Sequence, residues 1–140
     1  MYGLNRWTGC FDANVLFSAA YMADARLREL WRVRDVELWT SRYALEEARV
    51  NLSDEAQRQR LLELSEPLQF REAGERRLPA RIALPEKDAP ILLAAIEAGA
   101  SYLLTGDVHH FGQYFGKKVE GVIILPPARY LEIRNRKARH

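Results

Sequence analysis

The stretch Gly9-Cys10-Phe11-Asp12-Ala13-Asn14-Val15-Leu16-Phe17 sets how the rest of the chain is read, because a short apolar run ending on an acid passes directly into residues with helical spacing. Gly9 to Asp12 has the character of a strand end. From Asn14 to about Arg32, Leu16, Phe17, Ala20, Leu27, Leu30 and Trp31 recur at near-helical intervals, so a helix over that span is expected. A carboxylate at the carboxyl end of a strand, where a helix begins, lies where open α/β sheets build their sites.

Working outward, the same unit recurs. Val36 to Thr40 mixes β-branched and aromatic residues as a buried strand does, and Ser41 is placed to cap a helix through Tyr43, Ala44, Ala48 and Leu52. Ser53 opens a further helix, with Ala56, Leu61, Leu62 and Leu64 expected in the core and Glu55 and Glu63 outside, ending before Pro67. Leu68 to Arg71 suits a short strand. Glu72 to Pro85 keeps no period, and with Gly74, Pro79 and Pro85 it is expected to form an irregular loop able to wall a substrate groove. Pro90 to Ala98 forms a helix with Pro90 in its first turn and Gly99 at its end. Tyr102 to Thr105 is a strand leaving through Gly106-Asp107, and Phe111 and Phe115 belong to a short helix. Val122 to Leu125 is the most strand-like run, followed by Pro126-Pro127 and a last helix around Tyr130 and Ile133. This alternation predicts an α/β fold of one domain over residues 1–140, a three-layer α/β/α sandwich on a central parallel sheet with right-handed crossovers.

Composition narrows the class. At 140 residues, with 48% hydrophobic and 29% charged, the chain suits a globular domain that buries its own core. The one cysteine, Cys10, has no intramolecular partner and no Cys/His spacing suits zinc, so a reduced, cytoplasmic setting is expected. Met1 to Arg6 lacks a signal-peptide core, and Ile91 to Ile96 is too short to span a bilayer; no membrane is implied. A net charge of +2 does not mark a polyanion binder. Arg71, Arg76, Arg77 and Arg81 in mid-chain, and Arg134, Arg136, Lys137 and Arg139 at the end, suit an ordinary solvated surface and basic tail.

Four acids stand at separate places: Asp12, Glu47, Asp88 and Asp107. Singly, each has an ordinary explanation, since Asp12 and Asp88 suit N-caps, Asp107 follows a glycine at a turn, and Glu47 suits an exposed helix position. Their arrangement is less ordinary. Asp12 and Asp107 fall at carboxyl ends of expected parallel strands, and Asp88 shares a helical face with Ile91, Leu92 and Ala95, so it points inward and needs a partner. Glu46 and Glu47 both flank the apolar stripe of their helix; Glu47, one turn from Tyr43 and Ala44, lies nearer the buried side. Converging carboxylates repel unless a hard dication joins them, and oxygen ligation suits Mg²⁺ or Mn²⁺ and phosphodiester cleavage. Without the cation, Asp88→Asn or Asp107→Asn is expected to leave the fold as stable or slightly more so.

Other chemistries lack their residues. No Gly-x-Ser-x-Gly elbow surrounds Ser18, Ser41 or Ser53, no glycine-rich phosphate loop occurs, and Asn14 stands where an aspartyl-phosphate phosphatase carries a second aspartate. Trp7, Trp31 and Trp39 have the chemistry to stack on bases but sit beside apolar runs, as core or rim residues do.

Taken in order, Phe11-Asp12-Ala13-Asn14-Val15-Leu16, Ser41 with Glu47 six residues later, Asp88-Ala89-Pro90-Ile91-Leu92, and Leu104-Thr105-Gly106-Asp107 followed by Phe111 resemble PIN-domain ribonucleases. That resemblance, from about residue 9 to residue 131, implies a compact nuclease that uses Mg²⁺ or Mn²⁺ to hydrolyse RNA. It implies Asp12, Glu47, Asp88 and Asp107 as the acidic set, with Asn14, Ser41 and Thr105 orienting it. Asp12 and Asp107 are expected to touch the metal directly, and Asp88 and Glu47 to ligate or to position the attacking water. Many similar single-domain proteins are toxins of toxin–antitoxin pairs, often dimeric, so an antitoxin protein and a homodimer are implied partners beside RNA. The chain departs from the pattern after Asp107, where Val108, His109 and His110 replace a further acid. His110 is placed to protonate a leaving oxygen, although a histidine between aromatics is more commonly a packed or surface residue. The alternative is a catalytically weak PIN-fold module that binds RNA or protein.

Overall fold

A computed structural model describes residues 7–23 and 25–138, and only the backbone at Trp7, Lys137 and Ala138. The expectations for Met1–Arg6, Arg139 and the side chains of Trp7 and Lys137 lie outside it.

The strand that runs into Asp12 is β1 (Trp7–Phe11), at the middle of a six-stranded sheet ordered β3-β2-β1-β4-β6-β5. The others are β2 (Val36–Thr40), β3 (Gln69–Phe70), β4 (Tyr102–Leu104), β5 (Lys118–Val119) and β6 (Val122–Leu125). Pairing is parallel from β3 through β6. The side chains of β4 are all buried, which explains why Tyr102-Leu103-Leu104 is a continuous apolar run rather than an alternating one. The sheet is not wholly parallel, because β5 pairs antiparallel with β6 at one edge. The two-residue turn that joins them puts Glu120 at φ 49° and Gly121 at φ 89°, the left-handed pair that a primed hairpin turn requires.

Helices α1 (Ala13–Tyr21), α2 (Arg42–Asn51), α3 (Glu55–Ser65), α4 (Ala89–Glu97), α5 (Val108–Phe111) and α6 (Pro127–Ala138) flank the sheet in a three-layer α/β/α sandwich. Ser41 caps α2 as expected, its Oγ accepting from the Ala44 N–H at 3.0 Å. Gly99, at φ 66°, closes α4: its N–H bonds the Ile96 carbonyl while the Ala100 N–H bonds that of Ala95, a Schellman end that needs a left-handed residue. Among the described residues no helix is long and apolar enough to cross a membrane.

Three expectations change. The helix proposed from Asn14 to Arg32 stops at Tyr21, turns extended at Met22, and resumes as a 3-10 segment over Arg26–Arg32. An unbroken helix of that length would run roughly 28 Å against five-residue strands of about 17 Å. The break instead folds Trp31 back, with its ring 4.8 Å from that of Phe11 and its Nε1 donating to the Leu64 carbonyl. In α3, Asp54 rather than Ser53 is the cap. Leu61 alone of that helix is fully buried and Leu64 partly so, while Ala56 and Leu62 face solvent; adjacent side chains lie about 100° apart on a helix, so Leu61 and Leu62 cannot both face the core.

Candidate metal centre

Along the chain β1, β2 and β3 step to one side of the sheet before β4 appears on the other side of β1, so the order reverses between β1 and β4. Crevices in open α/β sheets form at the carboxyl ends of such strands. Asp12 follows β1 and Asp107 follows β4 by three residues, and the Asp12 N–H bonds the Leu104 carbonyl, which ties the two exits together. A cleft of about 410 Å³ opens there, lined by Asp12, Asn14, Glu47 and Asp107 with Lys87 and Asp88. All four sequence-predicted acids therefore reach one cavity, carried by the ends of two strands and the starts or faces of α2 and α4.

Thr105 is the joint of the site. Its buried hydroxyl donates to Asp12 Oδ2 at 2.7 Å and accepts from the Asp107 N–H at 3.1 Å and from Asn14 Nδ2 at 3.2 Å. That uses all the donor and acceptor capacity of a hydroxyl. Asn14 also donates to Asp12 Oδ2 and accepts from the Gly106 N–H through Oδ1. Ser41 is buried and acts at one remove, fixing the start of the helix that carries Glu47. Thr40, which the sequence did not single out, donates to the Phe11 carbonyl beside Asp12.

Capping and convergence prove compatible for two of the acids. Asp12 accepts from the Ala13 N–H with Oδ1, and Asp107 accepts from the His110 N–H with Oδ1, leaving the second oxygen of each for other partners. Asp88 makes no capping bond. In its first turn Ala89 bonds the Pro85 carbonyl, Pro90 has no N–H, and Ile91 bonds the Asp88 backbone. Its carboxylate instead faces His110: Asp88 Oδ2 lies 3.0 Å from Nδ1, while Asp107 Oδ2 lies 2.8 Å from the same atom. Nδ1 carries at most one proton, so it serves one carboxylate in line, and Asp88 Oδ2 is left solvent-excluded without a hydrogen bond.

Ligand atoms of Asp88, Asp107 and His110 all lie within 4.8 Å of one another and could hold a metal ion. Asp12 and Glu47 line the same cleft but stand outside this set. The sequence underrated His110, treating it as more commonly packed between aromatics; its carboxylate partners come from elements remote in sequence or hidden in a cap. Lys87, Asn51 and Phe17 were also missed, although Asn51 lies one helical turn from Glu47 and Phe17 one turn from Asn14. The loop from Glu72 to Pro85 does not line the cleft; it is held at Ala83, whose backbone N–H donates to the Tyr114 hydroxyl. Glu46 pairs with Arg49 on the exposed face, away from the cleft.

The electrostatics differ among the acids. Burial pushes Asp12 up to about 6, helped by the nearby charges of Asp88 and Glu47 and opposed by the hydrogen bonds from Thr105 and Ala13. Burial also raises Asp88, with His110 opposing. Asp107 moves the other way: its burial is outweighed by the His110 backbone and side-chain hydrogen bonds and by the nearby histidine charge, so it lies below the usual carboxylate range. Cys10, fully buried beneath this end of the sheet, is raised to about 12 by desolvation, which makes it an inert core thiol.

Among curated proteins none matches the sequence. The fold is similar to that of a chain in the crystal structure of VapBC2 from Rickettsia felis bound to a DNA fragment from their promoter, with a TM-score of 0.60 and 14% identity over 85% of this chain and 98% of that one. A family model described as PIN domain matches residues 9–109, a span that begins in β1 and ends just past Asp107. The match covers more than half of the sequence and takes in every acid of the cleft, and on that ground the chain belongs to the PIN-domain family.

Proposed function

We propose that this chain is, as one domain, a metal-dependent endoribonuclease that hydrolyses RNA phosphodiester bonds with Mg²⁺ or Mn²⁺. The observation that carries the reading is the convergence of Asp88 Oδ2, Asp107 Oδ2 and His110 Nδ1 within 4.8 Å, with Asp88 Oδ2 buried and lacking a hydrogen bond. A dication fits this donor set, because it would satisfy the orphaned oxygen and neutralise carboxylates that otherwise repel. Asp88, Asp107 and His110 would hold it, with Asp12 adjoining in the same cleft. When bound, such an ion supplies charge stabilisation at the phosphoryl oxygens and acidifies water.

The rest is the work of the protein. Thr105 and Asn14 hold Asp12 in one orientation, and Glu47 projects from a separate helix into the cleft, placed to orient the attacking water. Lys87 supplies a positive charge for a backbone phosphate at a site otherwise acidic, and Phe17 an apolar wall for a base or sugar. Family membership supports the nuclease chemistry. The sequence resemblance further supports a cytoplasmic toxin partnered by an antitoxin protein and able to form a homodimer, and the likeness in fold to a chain of VapBC2 adds support to the antitoxin partner alone.

Calorimetric titration with Mn²⁺, paired with cleavage of a labelled single-stranded RNA, tests the proposal. Saturable binding and cleavage are expected for the parent protein, and cleavage falls to background in Asp12→Asn while its circular dichroism is retained. If folded Asp12→Asn cuts RNA like the parent, the site is misassigned.

A further inference from the structure

We propose that His110 is itself a ligand, binding the cation through Nδ1 beside Asp88 and Asp107, and that this nitrogen makes the site prefer Mn²⁺ to Mg²⁺. The inference rests on the metal-dependent reading above, which gathers these three side chains about an ion, and goes further by making Nδ1 a direct ligand that sets the identity of the ion.

The geometry of His110 is set by its neighbour. Asp107 caps α5 by accepting the His110 N–H at 3.0 Å, so backbone and ring are pinned to the same carboxylate. Nδ1 is thereby placed 2.8 Å from Asp107 Oδ2 and 3.0 Å from Asp88 Oδ2. Three potential ligand atoms from two elements surround one point, with at most one proton among them on the nitrogen. That proton serves one oxygen and leaves Asp88 Oδ2 unsatisfied in a solvent-excluded position. A cation there uses both oxygens and the nitrogen lone pair at once, with the imidazole proton moved to Nε2. An ion pair with His110 gives Asp88 Oδ2 a contact at 3.0 Å but no hydrogen bond, a need that a cation between the three atoms would meet.

Ligand chemistry then selects the ion. Mg²⁺ keeps its waters and takes oxygen ligands in near-ideal octahedra, so an imidazole nitrogen adds little to its binding. First-row transition dications gain from nitrogen donors, and Mn²⁺ also accepts the carboxylates that complete this set. Val108 and His109 supply no carboxylate after Asp107, so the helix that follows it offers a nitrogen where a further oxygen would keep the site indifferent to the two ions.

Metal binding to the full chain, read without reference to cleavage, tests this. Calorimetry with MnCl₂ and MgCl₂ should give a Kd for Mn²⁺ at least about tenfold below that for Mg²⁺. Pulsed electron paramagnetic resonance of the Mn²⁺-loaded protein should show nitrogen modulation that shifts on ¹⁵N-histidine labelling, persists in His109→Ala and disappears in His110→Ala. The His110→Ala change should weaken Mn²⁺ about tenfold and leave Mg²⁺ within about twofold, and His110→Asp should bring the two ions together. Mn²⁺ binding without histidine modulation in the parent protein overturns the ligand assignment and leaves the nuclease reading standing, a result that does not depend on any variant folding. Equal weakening of both ions in His110→Ala overturns the selectivity. Failure of both ions to bind saturably overturns this inference together with the reading beneath it.

Discussion

Each aspartate in the cleft divides its two oxygens differently, and the consequences for stability differ in sign. Asp12 carries its charge in a site only 5% exposed, and its carboxyl is raised from 3.8 to about 6. Well above pH 6 it is ionised in folded and unfolded chains alike and the burial penalty is present in full; the penalty fades as pH falls through 6 and is gone only well below 3.8, where both are protonated. Lowering the pH of the cation-free protein from 7 to 4 should therefore remove most of a destabilisation of about 3 kcal/mol from this group, and Asp12→Asn, which keeps one of two accepting oxygens, should recover part of it at pH 7. Urea midpoints at several pH values check both, and an Asp12→Asn protein less stable than the parent at pH 7 would contradict the argument. Asp107 is opposite. Its lowered carboxyl stabilises the fold above the usual carboxylate range and loses that contribution as pH falls through its folded value. Asp107→Asn keeps an oxygen able to cap α5 but removes the charge that faces His110, so it should lower stability by up to about 1 kcal/mol rather than leave it unchanged or raised as like-charge repulsion alone suggests; the urea midpoint at pH 7 measures it. The expectation of a neutral or stabilising change survives for Asp88, whose carboxyl is raised and caps nothing.

Among the elements, strands rich in β-branched and aromatic residues and helices with distinct caps were legible at once, although Val36, Glu37, Leu38 and Trp39 are only partly buried where a fully buried strand was expected. Val36–Thr40, Val122–Leu125 and the Ser41 cap fall where the residues place them. The β5–β6 hairpin was not, because Glu120 supplies the left-handed position where asparagine, aspartate or glycine is the usual signal. Helix α3 misled for another reason: consecutive leucines do not say which of them faces the core. Leu61, 2% exposed, should cost about 2–4 kcal/mol when changed to alanine. Leu62, 61% exposed, should cost no more than about 0.5 kcal/mol. Denaturant midpoints for the pair decide the orientation, and equal losses would reverse it.

At the scale of the molecule, the site occupies the point where strand order reverses, so its walls come from elements that touch only because the sheet is complete. Cys10, Phe11, Leu103 and Leu104, in the two central strands and almost wholly buried, should exchange their amide hydrogens only through global unfolding. Gln69 and Phe70 at one edge, and Lys118 at the other, should exchange through local opening with protection lower by several kcal/mol. Native-state hydrogen exchange read by NMR distinguishes the two groups, and uniform protection across the sheet would refute this picture.

The sequence by itself determined the alternation of strands and helices and the caps at Ser41 and Asp12, because these depend on local period and on bonds between near neighbours; the four acids, with Asn14 and Thr105, were legible through the ordered motifs that resemble PIN-domain ribonucleases. Only the tertiary structure decided that Asp88 leaves its helix start uncapped and that His110 turns toward two carboxylates. For Glu46 and Glu47, which flank the same stripe, the sequence favoured Glu47, and the fold brings Glu47 to the cleft while Glu46 pairs with Arg49 outside it. A side chain's partner across the fold is fixed by strand order and packing, and nothing within a few residues of it encodes which distant oxygen will stand 3.0 Å away.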